Sequence, residues 1–125
     1  MGEPAVKPSE EYVDGFIKLT AKARVWYKSA HGYRLVIGGR EFAERFKVLG
    51  GDRKHVLIEV DTQVARFIYR TYSYVDKGYV KFHCPRDFNE TWKALHAIGD
   101  FVVSVYIPYV NHSAKGTGGD GNGGE

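Results

Sequence analysis

Trp26 stands four residues after Lys22 and eight after Lys18, and the trio Arg66, Arg70 and Tyr74 repeats that spacing. On a helix, positions i, i+4 and i+8 share one stripe. Two cations leading to a flat ring suit an unpaired nucleic-acid strand, because phosphates attract the cations and bases stack on the ring. Arg24, Tyr27 and Lys28 lie close to the first stripe, and Phe67 borders the second. Lys77, Tyr79 and Lys81 alternate, so a strand would set all three on one sheet face. Together these residues form the candidate nucleic-acid site. The plain alternative gives the rings to an aromatic core, with Tyr79 under the two lysine stems and the charges paired on a solvated surface.

Other chemistry is less well supported. His83 and Cys84 are adjacent, and neighbours on a strand point to opposite faces, so the histidine is badly placed to activate the thiol. A buried, inert cysteine is the expectation. His31, His55, His83, His96 and His112 show no metal-ligand spacing, and no metal or cofactor is expected. Asp52, Glu59 and Asp61 resemble a nuclease acid cluster, but the lysine such sites place two residues after the second acid is Asp61 here. Gly38-Gly39 and Gly50-Gly51 lack the pattern of a phosphate-binding loop and read as turns. The expectation is a binding protein rather than an enzyme.

Charge supports that reading through its distribution. The chain carries only +3 overall, yet Lys18–Arg86 holds 15 basic and 6 acidic residues, a net of +9, which leaves −6 for the two ends. Eleven Trp, Tyr and Phe residues fall within the same stretch. Duplex readers favour Arg, Asn and Gln for base edges, whereas this chain has one Gln and three Asn, so single strands are the better fit, with RNA open by the same chemistry. The scarcity of heat-labile residues suggests a thermophile source. No apolar run reaches the roughly 18 residues of a membrane span, and no secretory h-region opens the chain. With Cys84 the single cysteine, no internal disulfide forms and the expected compartment is the cytoplasm.

These side chains need a scaffold, and 125 residues at 43% apolar content supply one domain. Residues 1–8 read as a loose arm and 111–125, with six glycines after Lys115, as a disordered tail, leaving a domain over 9–110. Ser9 can cap a helix that runs to about Ala30 on Tyr12, Phe16, Leu19, Ala23 and Tyr27. Helices are also expected over Phe42–Leu49, over Asp61–Tyr74 with Val64, Ala65, Ile68 and Tyr72 inward, and over Phe88–Leu95. Strands are expected at Tyr33–Ile37, His55–Val60, Tyr79–Cys84 and Phe101–Ile107. The resulting expectation is an α+β domain, a small four-stranded sheet with about four helices packed against it.

A compact helix–sheet domain with a basic, aromatic face and a Gly-rich C-terminal segment resembles the ThermoDBP family of single-stranded DNA-binding proteins. The family serves hyperthermophilic crenarchaea that lack the usual OB-fold protein. The resemblance covers the layout of residues 9–125 and rests on no short signature, so no site residue is carried over from it. It implies an aromatic-lined cleft flanked by basic side chains and a dimer formed through a C-terminal coiled coil. No heptad segment follows Gly124-Glu125. Two other readings stay open: a protein-interaction module using the Trp26 and Tyr74 surfaces, and a small metal-dependent nuclease using Asp52, Glu59 and Asp61.

Overall fold

A computed structural model describes residues 9–109, and the expected arm over 1–8 and tail over 111–125 lie outside the described residues. The described residues form seven strands and two α-helices: β1 (Ser9–Val13), β2 (Phe16–Lys28), β3 (Gly32–Gly38), α1 (Arg40–Gly50), β4 (Arg53–Asp61), β5 (Arg66–Asp76), β6 (Tyr79–His83), α2 (Asn89–Ile98) and β7 (Phe101–Pro108). All pairings are antiparallel in the order β1-β2-β3-β6-β5-β4-β7, and β7 returns to β2. Six strands therefore close into a barrel, with β1 as an added strand on β2. Closure removes the open edges of those six strands and leaves β1, paired with β2 alone, as the edge among the described residues.

This overturns the expected four-stranded sheet with four helices. Two segments account for the difference. Residues 9–28 form the β1–β2 hairpin, which turns at Asp14 and Gly15 with φ of 49° and 89°. Asp-Gly between apolar runs favours a two-residue turn with positive φ at both positions, a signal strong enough to defeat the apparent helical spacing. Residues 66–76 form β5 instead of a helix, since Phe, Ile, Tyr, Thr and Val favour a pleated surface. Asp61 caps no helix. The Thr62 hydroxyl accepts from the amides of Val64 (3.1 Å) and Ala65 (3.0 Å), closing the β4–β5 turn. Val64 and Ile68, expected inward, are exposed, and Tyr72 faces outward on the barrel. Tyr12, expected on the inner face of the first helix, is also exposed.

Odd-numbered residues of β2 from Ile17 to Val25 point inward, as do Leu35, Ile37, Val80 and Phe82, Val56, Ile58 and Val60, and alternate residues of β7. Helix α1 buries Phe42, Ala43 and Phe46 at one mouth, where Phe46 meets Phe82 edge-on at 6.3 Å. At the other mouth α2 buries Trp92 and Leu95, with the Trp92 ring 5.5 Å from Phe67 and 5.3 Å from Tyr69. Of the interior hydroxyls, that of Tyr69 has no hydrogen-bond partner among the described residues, whereas Thr71 donates to the His83 carbonyl (2.8 Å) and Ser73 to the Lys54 carbonyl (2.6 Å). Both bonds tie β5 to its neighbours directly beneath the outer face. Among the described residues, no helix is long and apolar enough to cross a membrane.

Candidate nucleic-acid interface

With the interior filled from one set of alternate positions, the other set must form the outer surface. Register brings its members into rows. One row crosses Trp26 of β2, Arg34 of β3 and His83 of β6, and a second crosses Lys81 of β6, Tyr74 of β5 and Arg53 of β4. Tyr72 and His55 pair opposite each other beside them. Cross-strand neighbours of this kind lie about 4.5–5.5 Å apart at Cβ, close enough for rings and cations to touch.

They do touch. Trp26 and Tyr79 meet at 5.1 Å between centroids, and the Lys81 ammonium sits 5.6 Å from the Trp26 centroid. Tyr74 and Tyr72 each lie 5.8 Å from the His83 ring, and His55 lies 5.0 Å from Tyr72. A depression of about 190 Å³ is lined by both Trp26 and Tyr74, joining the two ring groups, with Lys28, His31, Arg34 and Lys81 around it. Gly38 makes the Tyr79 placement feasible, because a Cβ there would stand 3.1 Å from the Tyr79 ring. The Arg34 guanidinium is held by the carbonyls of His31 (2.9 Å) and Tyr33 (3.0 Å), which aim it without neutralising it.

Electrostatics refine the picture. Partial desolvation, reinforced by Arg34, lowers the pKa of the exposed His83 ring below its usual value, so at neutral pH it is an uncharged surface. Lys81 donates to Asp76 at 2.8 Å, and this hydrogen bond holds the Asp76 carboxyl below the usual range. An ionised carboxylate thus competes for the cation nearest Trp26. Among the described residues Lys28, Arg34, Arg53 and Arg70 form no ion pair with a carboxylate.

The residues expected from sequence divide. Trp26, Lys28, Arg70, Tyr74, Tyr79 and Lys81 fall on this one face. Lys77 occupies the β5–β6 turn with φ of 53° and borders it. Lys18 and Lys22 share the outer side of β2 but lie beside β7, where the Lys18 ammonium is 5.7 Å from the Tyr106 ring. Arg24 is paired with Asp100 and Arg66 with Asp61, both at 2.9 Å. Tyr27 belongs to the opposite alternation and packs against Tyr33 at 4.9 Å. Phe67 packs against the core under α2, so its place at a binding surface is withdrawn. Missed altogether were Arg34, Arg53, His55, Tyr72 and His83, which only correct strand pairing gathers.

The discarded chemistries also find their places. Cys84 is buried, which pushes its thiol up to about 12 and leaves it protonated. Asp52 faces Lys47 at 3.8 Å, Asp61 faces Arg66, and Glu59 accepts from the Tyr106 hydroxyl at 2.7 Å. Among the described residues, no three His, Cys, Asp or Glu side chains gather as a metal-binding group. Comparison of the chain with protein-family models, with curated proteins and with solved structures finds no match.

Proposed function

We propose that this protein binds single-stranded DNA without catalysis, in a sequence-tolerant manner, on the outer face spanning β2, β3, β6, β5 and β4. The observation that carries the reading is the continuous surface of Trp26, Tyr79, Tyr74, His83 and Tyr72 set among Lys28, Arg34, Arg53 and Arg70. Rings offer stacking to any base, and cations that are not spent on carboxylates remain for phosphates. The helix–sheet layout behind the resemblance to the ThermoDBP family is not the layout of this barrel, so the reading rests on the face itself.

A protein-docking role draws on one separate feature, a trough of about 330 Å³ lined by Val64, Ile68 and Phe88 near α2. It lies at the far end of β5 from Tyr74, and its lining offers a single cation, Arg66. Titration with oligo-dT separates the two roles. Trp92 is fully buried, so quenching reports on Trp26. The expected outcome is saturable quenching in the parent, with Trp26→Ala weakening binding by roughly 1–3 kcal/mol when followed through the anisotropy of a labelled oligo-dT. A folded Trp26→Ala protein of unchanged affinity would remove the face from consideration.

A further inference from the structure

The central depression does not stand alone. On one side, Tyr74 also lines a trough of about 730 Å³ between α1 and the ends of β4 and β5, where Arg40, Lys47, Arg53 and Lys77 contribute cations. On the other side, His31, Gly32 and Arg34 also line a third depression of about 520 Å³ around the β2–β3 turn, which reaches Arg86 and the first residue of α2, Asn89. Three compartments thus share walls in series. Among the described residues the central and third have no carboxylate in their lining, while the first holds Glu44 and Asp52. Rings recur along the whole course: Tyr72 and Tyr74, then Trp26, then Tyr27 and Tyr33.

We infer that the three compartments form one track for a single-stranded polynucleotide, running from α1 across Tyr74 and Trp26, around the β2–β3 turn, to Arg86. This deepens the single-strand reading and depends on it. A mononucleotide site would need only the central depression, and a protein-docking face would not need cations at both outer ends. The track also makes the strand turn around a hairpin, a path open to a flexible single strand. A duplex, with a persistence length of about 150 base pairs, resists that curvature.

Length and end-charge reversal test it together. Oligo-dT from three to twenty nucleotides is titrated against the full chain and its Arg40→Glu and Arg86→Glu variants, with a duplex of equal length as control. Both positions are exposed, and a glutamate at the start of α1 suits the helix dipole, so both variants should fold. Affinity should climb with length and level off within the roughly 4–16 nucleotides of compact single-strand binders. Each variant should weaken the long oligomer about tenfold, the scale of one or two lost phosphate contacts, and leave the trinucleotide within about twofold. Long oligomers bound with no response to either reversal would overturn the track and leave the central face standing. No binding at any length, or duplex bound as tightly as single strand, would take down the underlying reading as well.

Discussion

Asp76 is the residue most at odds with its surroundings. It is acidic, it lies on a cationic face, and it takes up Lys81, whose ammonium also covers Trp26. A strand approaching Trp26 must either repel Asp76 or draw Lys81 away from it. A partly exposed ion pair is worth at most about 1 kcal/mol, so the competition is winnable. Asp76→Asn should therefore tighten single-stranded DNA by roughly two- to fivefold. Titration under low salt measures this directly. Weaker binding instead would mean that Asp76 holds Lys81 in a productive pose over the indole. At this scale the sequence was partly legible: Trp26, Tyr74, Tyr79 and Lys81 stood out through residue type and even spacing. His83 and Tyr72 did not, because an isolated imidazole or phenol carries no mark of its partners until strands are paired.

Between residues and the whole lies the strand, and here one spacing had two meanings. Positions i, i+4 and i+8 share a face on a helix, and they also share a face on a strand, because all the intervals are even. Lys18, Lys22 and Trp26 thus remained aligned when the expected helix proved to be β2, as did Arg66, Arg70 and Tyr74 on β5. What the wrong period lost was extent. A strand spreads eight residues over about 26 Å, twice a helix, so the leading cations sit far from the rings they were grouped with. Phe67, a helical neighbour of the second stripe, has odd parity and packs, partly buried, against the core. The genuine helices read correctly because Phe42 and Phe46, and Trp92 and Leu95, sit three or four apart ahead of the glycines, Gly51 and Gly99, that stop them. Each seals a barrel mouth. Trp92 is fully buried, meets Phe67 and Tyr69 edge-to-face and donates to the Pro85 carbonyl at 2.9 Å. Trp92→Ala should cost about 3–5 kcal/mol, lowering the melting temperature by roughly 12 °C or more for a domain of this size. A fall of only a few degrees by calorimetry would show α2 to be loosely docked.

For the molecule as a whole, the decisive quantity is how much of the charge asymmetry is available to a ligand. The Lys18–Arg86 segment holds 15 cations, but in the described structure five of them are already matched: Arg24 with Asp100, Arg45 with Glu10, Lys47 with Asp52, Arg66 with Asp61 and Lys81 with Asp76. Lys28, Arg34, Arg53 and Arg70 remain for phosphates on the aromatic face. Four contacts to a single strand, at roughly −0.7 each, give a slope of log affinity against log salt near −3. Placement then predicts an inequality that composition cannot. Arg70→Ala removes an unmatched cation next to Tyr72 and should flatten the slope by about 0.7 while weakening all sequences nearly alike. Arg66→Ala removes a cation that Asp61 already holds at the far end of β5, and should leave the slope within about 0.2 of the parent. The two arginines lie on the same strand and the same side, so a difference between them isolates position from net charge. Equal effects would mean that the strand responds to the overall field of the barrel. A slope near zero would mean that its cations serve only the fold.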